Sequence, residues 1–311
     1  MRWNKLGLIF APSGATGWMA SHASVPFVGA QTGDLIKVFF STRNGAQQSA
    51  VGYLWFDIKT LQVVFVSDQP VLERGELGCF DDSGVMGSCL VQLGPVQRMY
   101  YIGWNTGGTV PFRNSIGVAE SYDGGETFNR LYAGPIIDRT KDEPHFTASN
   151  CVICDRGIYK TWYLSCTGWF LDGSAKLVHR YHIKYAESRD GIEWDRRGVV
   201  AIDYRDEHEY AISVPRVSKD TDGLYKMWFS SRGTPTEDTY RIRYAESEDG
   251  ISWQRREELV GPEVSETGWD SDMIEYPFVF DHQGKRYMLY NGNGYGETGF
   301  GLAVMEHSGG E

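Results

Sequence analysis

The sequence predicts an all-β protein, a five-bladed β-propeller of four-stranded blades closed into a ring by its own N-terminal strand. Three observations carry this prediction. A strand–turn–strand pattern recurs along the chain. Five like strands precede it at matching places. The first residues then supply what the last repeat lacks.

The recurring pattern is Ile116-Gly-Val-Ala-Glu-Ser-Tyr-Asp-Gly-Gly-Glu-Thr-Phe128, then Ile183-Lys-Tyr-Ala-Glu-Ser-Arg-Asp-Gly-Ile-Glu-Trp194, then Ile242-Arg-Tyr-Ala-Glu-Ser-Glu-Asp-Gly-Ile-Ser-Trp253. Each reads as a strand, a tight Asp-Gly turn and an aromatic that opens the next strand. Upstream lie Tyr100–Trp104, Trp162–Cys166 and Met227–Ser231, and the same element occurs as Val38–Thr42 and Tyr287–Asn291. A further apolar strand precedes each of the five, beginning near Pro26, Gly87, Asn150, Pro215 and Pro277. Five units of roughly 62 residues with four short strands apiece have the dimensions of propeller blades.

The fifth unit ends at Met305 without an Asp-Gly turn or an outer strand. Trp3-Asn-Lys-Leu-Gly-Leu-Ile-Phe10 matches the outer strand Trp194-Asp-Arg-Arg-Gly-Val-Val-Ala201, so residues 3–10 are expected to complete the last blade. That pairing covers a sheet edge that would otherwise be open. The expected organisation is one domain over 1–311, with blades at roughly 20–75, 80–138, 145–203, 209–262 and 272–306 plus 3–10. Asp123, Asp190 and Asp249 read as turn formers on the outer rim, and Phe128, Trp194 and Trp253 as packing between blades.

Composition fits this class. The 311 residues are 41% hydrophobic and 14% aromatic, with 37 glycines, which leans towards β architecture. The net charge is −11 and no basic run occurs, which argues against nucleic acid as a partner. No stretch approaches the roughly 18 apolar residues of a membrane span, and the N-terminus lacks the pattern of a secretory signal. Five cysteines without framework spacing point to reduced thiols in a cytoplasm. Cys151 and Cys154 form a lone CxxC in a strand-like run, where positions i and i+3 face opposite ways. No metal or cofactor is expected.

In a propeller the first strands line a central funnel. The approaches to these strands carry His22, Asp81-Asp82, Glu143 and His145, Glu207-His208-Glu209, and Asp270, Asp272 and Glu275, with Arg216 further along the fourth. Acids converging on one axis perturb one another's pKa values, the condition for acid–base work near neutrality. The loops after the second strands add Arg43, Asn105, Trp169, Arg232, Asn291, Asn293 and Tyr295. The next connections add Arg113, Asn114, His179 and Tyr240. Aromatic faces stack on a sugar's C–H surface, while Asn and Arg bind hydroxyls or an acidic group.

With its blade count, its acid-bearing first strands and its Tyr-Ala-Glu-Ser-x-Asp-Gly-Ile-x-Trp hairpins, the chain resembles the five-bladed glycoside hydrolase superfamily. That group holds the arabinanases and xylosidases, the invertases and levansucrases, and the mannoside phosphorylases. The resemblance implies an enzyme acting on a glycosidic bond with paired carboxylates, one protonating the leaving oxygen and one serving as nucleophile or base. It places an Asp in the first blade, where this chain has His22. On this resemblance Asp82, Glu209, Asp272, Glu275 and His22 form the candidate acid–base core. Arg43, Asn105, Arg113, Asn114, His145, Trp169, Arg216, Arg232, Tyr240, Asn291 and Asn293 are the candidate contacts to a sugar or glycoconjugate. Arg43, Arg113, Arg216 and Arg232 also suit a phosphorylase or glycosyl transferase that must hold phosphate. The Ser-x-Asp-Gly-x-x-Trp turns resemble sialidase Asp-boxes, which mark blade geometry and not activity. A non-catalytic sugar-binding propeller and a protein scaffold are the alternatives from other classes.

Overall fold

The computed structural model describes residues 1–171, 175–234 and 238–306. Its strands pair antiparallel in successive sets of four. The first set is β2 (Ser21–Thr32), β3 (Leu35–Arg43), β4 (Ser49–Asp57) and β5 (Gln62–Val66). The second is β6 (Gly84–Leu93), β7 (Val96–Thr106), β8 (Phe112–Ser121) and β9 (Asn129–Arg130). The third is β10 (Thr147–Asp155), β11 (Ile158–Leu171), β12 (Leu177–Ser188) and β13 (Val200–Ile202). The fourth is β14 (Ala211–Lys219), β15 (Tyr225–Arg232), β16 (Arg241–Ser247) and β17 (Gln254–Arg255).

The last set holds β18 (Glu275–His282), β19 (Lys285–Asn291) and β20 (Phe300–Met305), with a short helical turn α1 (Asn293–Gly296) before β20. Its outer place is filled by β1 (Trp3–Phe10). Trp3 lies opposite Met305 and Phe10 opposite Phe300. The N-terminal strand therefore pairs where the sequence match put it.

The Asp-Gly turns are built by their own side chains. Asp190 Oδ1 accepts the N–H groups of Ile192 and Glu193 at 2.8 and 2.9 Å, and Ser188 Oγ accepts that of Gly191 at 2.9 Å. Asp123 and Asp249 do the same for their own turns. Each turn is then clasped by the second strand of the preceding set. Tyr100 donates to the carbonyl of Gly191 and Trp162 to that of Gly250, while the buried Lys37 reaches those of Gly124 and Gly125 and the Glu126 carboxylate. Gly191 has φ +73°, and a Cβ there would stand 2.6 Å from the Tyr100 hydroxyl, so only glycine fits.

The same seam is filled by ring pairs: Phe39 on Phe128, Tyr100 on Trp194 and Trp162 on Trp253. Trp228 meets Trp3 at 6.4 Å, edge to face. Trp3 thus stands where Trp194 and Trp253 stand in their own sets.

The first strands lie side by side in the order β2, β6, β10, β14, β18, and β18 packs on β2 again. Each carries a bulge. Pairing is interrupted between Ser24 and Phe27, Gly87 and Cys89, Ala148 and Asn150, Ser213 and Arg216, and Glu275 and Phe278. The strands begin up to five residues before the prolines from which the sequence counted them, because Pro26, Pro215 and Pro277 sit inside the bulges and not at the strand starts. Proline has no N–H for a ladder and is tolerated at such an irregularity. The freed N–H of the bulge is bound from a neighbouring set. Val25 donates to Asn291 Oδ1 at 2.8 Å, Gly87 to Ser41 Oγ at 3.0 Å, Val214 to Ser149 Oγ at 3.1 Å and Tyr276 to Ser230 Oγ at 2.8 Å.

Candidate functional site

The acids at the approaches to the first strands do not converge on the axis. Four of them turn away and pair with a cation from the outer part of their own set. Asp81 meets Arg130 at 2.8 Å, Glu143 meets Arg196 at 2.6 Å, and Asp270 meets Lys5 at 2.7 Å. Glu209 takes Arg255 with both oxygens, at 2.7 and 2.9 Å, and accepts the Arg205 N–H at 2.7 Å. Against the burial that pushes its carboxyl up, the Arg255 pair holds Glu209 below the ordinary glutamate value. Tyr101, Tyr163 and Tyr290 cap three of these pairs. A carboxylate this deep needs a cation, and the repeat supplies one.

The remaining polar groups surround a cavity of about 350 Å³. Its wall draws on all five first strands or the loops beside them: Ser24 and Val25, Met86, Phe146, Ala148 and Ser149, Ser213 and Val214, and Tyr276. Val25, Val214 and Tyr276 have φ of 51°, 47° and 53°. A positive φ on valine is strained, by about 1–3 kcal/mol per residue, and such strain gathers at working sites.

One side of the cavity is aromatic. Phe112 and Phe146 lie 5.6 Å apart, Trp169 backs His179 at 4.9 Å, and His179 stacks on Tyr181 at 5.0 Å. Burial, aided by Arg232, lowers His179 to about 4, so its ring is neutral near pH 7. The other side holds Arg232 among Tyr240, Tyr210 and Tyr295, with its guanidinium 4.7, 5.2 and 5.9 Å from the three rings. Arg232 Nη1 donates to the Tyr295 hydroxyl at 2.7 Å, and the Tyr181 and Tyr240 hydroxyls share a hydrogen bond. Arg43 and Asn114 complete the wall.

Among the described residues that line the cavity, none is Asp or Glu. One carboxyl group borders it. Glu275 immediately precedes the lining residue Tyr276, is 0% exposed, and has no hydrogen-bond partner on either oxygen. Burial drives its carboxyl well above the ordinary glutamate value, and Arg232 offsets only part of that.

Of the residues put forward from sequence, Arg43, Asn114, Arg232 and Tyr240 line the cavity, and Trp169 and Glu275 stand behind the wall. His22, at φ 62°, sits at the edge beside Arg43, lowered by burial and by that cation. Asp82 is not at the wall. It is spent on its own turn, accepting from Gly78 N–H and the Ser83 hydroxyl at 3.0 Å. Asp272 is exposed outside, as is Arg113. Asn105 binds the Cys79 carbonyl, and Asn293 caps the N–H groups of Asp272 and Met273. Asn291 is buried and holds the Val25 bulge while donating to Ala23 and Gly299. Arg216 lies on the Phe278 ring at 3.7 Å, away from the cavity, and His145 does not reach it, although its neighbour Phe146 does. The sequence reading missed Phe112, Phe146 and Tyr276. For Tyr276 a signal existed in the repeated x-x-Pro of Ser24-Val25-Pro26, Ser213-Val214-Pro215 and Glu275-Tyr276-Pro277.

No protein-family model matches the chain. Two Mycobacterium tuberculosis proteins, the uncharacterized proteins Rv1502 and MT1551, are each 42% identical over 308 residues, covering 99% of this chain and all of the relative. The chain belongs to the Rv1502 family. Solved structures show which fold the Rv1502 family shares. A glycoside hydrolase superposes with a TM-score of 0.75 at 18% identity, over 99% of this chain and 94% of that one. A thermostable family-43 glycoside hydrolase gives 0.68 at 16%, over 93% and 91%. A member of the GH130 family, described as mannoside phosphorylases that include glycoside hydrolases targeting β-1,2 mannosidic linkages in Candida mannan, gives 0.69 at 13%, over 98% and 94%. The fold of the Rv1502 family is the β-propeller of the glycoside hydrolases.

Proposed function

We propose that the protein is a carbohydrate-active enzyme that acts on a glycosidic bond in this cavity, within a single five-bladed propeller domain over residues 1–311. The blade count is supported by the return of β18 to β2 and by the seating of Trp3 in the last seam. The observation that carries the function is Glu275. It is a dry carboxyl group that burial drives well above the ordinary glutamate value, near Arg232 and next in sequence to Tyr276 of the cavity wall to which every set of strands contributes. A carboxylic acid that keeps its proton at neutral pH is what a leaving glycosidic oxygen requires.

In this reading a sugar or glycoconjugate lays its C–H face on Phe112, Phe146 and Tyr181, and its hydroxyls meet Asn114, Tyr240 and the serines of the bulges. Glu275 delivers the proton to the departing oxygen. Water, or another acceptor in a transferase or phosphorylase, takes the anomeric carbon. The expected pair of carboxylates becomes one acid, since Glu209 is committed to Arg255 and Asp82 to its turn. That same commitment favours a second reading, a propeller that binds sugar without turnover. Five free thiols suit the reducing cytoplasm that we propose as its setting.

A screen of aryl glycosides, furanosides included, with and without phosphate, separates these readings. The enzymatic reading expects release of the aryl group from at least one glycoside. Saturable sugar binding with no release from any glycoside would leave only the binding reading.

A further inference from the structure

Six part-buried cations are paired. Arg130, Arg196, Arg255, Lys5, Arg286 and Arg98 each meet a carboxylate at 2.6–2.9 Å, and all lie outside the cavity. Among the described residues Arg180 and Arg216 meet no carboxylate either, but Arg180 donates to the Glu209 carbonyl and Arg216 lies on the Phe278 ring; the two cations on the cavity wall also meet none, and they face the cavity. Arg232 has one hydrogen bond, to the neutral Tyr295 hydroxyl, and its Nε is buried with no partner. Arg43 has one long contact, 3.5 Å to Gln47 Oε1. Neither has a carboxylate ion partner among the described residues. An arginine has five N–H donors in a fork that fits an oxyanion, and leaving them unused in a desolvated wall is costly.

We propose that Arg43 and Arg232 together bind a phosphate group. It arrives either as a substituent of the sugar or as free inorganic phosphate. Two unpaired guanidinium groups match the charge of about −1.5 to −2 that a phosphate monoester carries at neutral pH, whereas a carboxylate would balance only one. The tyrosines around Arg232 fix the guanidinium by stacking and, being neutral, leave its charge for the ligand. Phe112 and Phe146 on the same cavity wall leave a ring-binding surface beside the cations. The proposal rests on the carbohydrate reading only for what carries or accompanies the phosphate.

Calorimetric titration of the full chain with inorganic phosphate, a hexose phosphate and the parent hexose tests this. The titrations are repeated for Arg232→Gln and Arg43→Gln, with thermal melts to check folding; Arg43, nearer the surface, keeps the test open if Arg232→Gln does not fold. Saturable binding of at least one phosphate ligand is expected, weakened tenfold or more by each substitution that folds and weakened by added salt. Tighter binding of the hexose phosphate than of both other ligands assigns the phosphate to the sugar. Equal occupancy of inorganic phosphate with and without hexose assigns it to free phosphate. The proposal is overturned if neither phosphate ligand binds saturably, or if a folded variant binds as tightly as the parent. Phosphate binding without turnover of any glycoside sinks the enzymatic reading and leaves the anion site. Turnover indifferent to both substitutions does the reverse.

Discussion

At the scale of single residues, the acids divide by what meets them. Glu209 and Glu143 are buried and ionised because Arg255 and Arg196 lie within hydrogen-bond distance. Glu275 is buried with no such hydrogen bond, and burial drives its carboxyl well up, Arg232 offsetting only part of that. Two predictions follow from this division. Glu209→Ala removes the buried partner of Arg255, leaves it only the more exposed Glu257 at 2.7 Å, and should cost about 3 kcal/mol, the low end for breaking a buried pair; chemical denaturation measures it, and a loss under about 1 kcal/mol contradicts the assignment of Glu209 to structure. Glu275 behaves oppositely. Its folded-state value lies above the unfolded one, so its proton stabilises the fold fully below the ordinary glutamate range, and that contribution is lost as pH rises towards the folded value. Within that window stability should fall by about 1.4 kcal/mol per pH unit from this group alone. Glu275→Gln should remove that slope, so the variant gains on the parent between pH 5 and pH 8. Parallel denaturation curves at the two pH values would refute the burial of an unpaired carboxyl.

At the scale of elements, the Asp-Gly hairpin and the bulged first strand do different jobs. The hairpin is local and repeats in sequence, which is why Asp123, Asp190 and Asp249 were legible as turn formers. Its side chains bond its own backbone, and the aromatic four or five residues after the Asp fills the seam to the previous set. The bulges were not legible. A positive φ at Val25, Val214 and Tyr276 goes with tertiary hydrogen bonds that their N–H groups donate to Asn291, Ser149 and Ser230, and valine gives no local sign of it. Strand β1 belongs to both kinds. Its match to residues 194–201 was readable, and its energetic role is that of a staple through Trp3 on Trp228 and Lys5 on Asp270. Removing residues 1–10 should therefore abolish the cooperative transition and not merely lower its midpoint, while Trp3→Ala should cost about 3–5 kcal/mol. A truncated chain that melts as sharply as the parent would show that the last set does not need its outer strand.

At the scale of the whole molecule, the repeated sets of strands were readable because each unit repeats its neighbour's contacts, and the site was only half readable for the same reason. Residues placed near the funnel by position alone, such as Asp82, Glu209 and Asn293, share their positions with repeated structural pairs and caps. Burial and partnership decide which acid is spared, and those depend on cations from the outer part of the same set and on Arg232 of the set before, which the local sequence does not show. Arg43 and Arg232 were found because they end second strands, where the following loops were expected to face the funnel. Phe112 and Phe146 were missed because aromatics abound in every seam. The proposed chemistry depends on Glu275 at a sugar-binding cavity, and one comparison tests it most directly: turnover and binding of the same glycoside by the parent protein and by Glu275→Gln. Loss of about 100-fold or more in turnover, with affinity held within a few-fold, is the expected result for a proton donor. Undiminished turnover by the folded variant would contradict it.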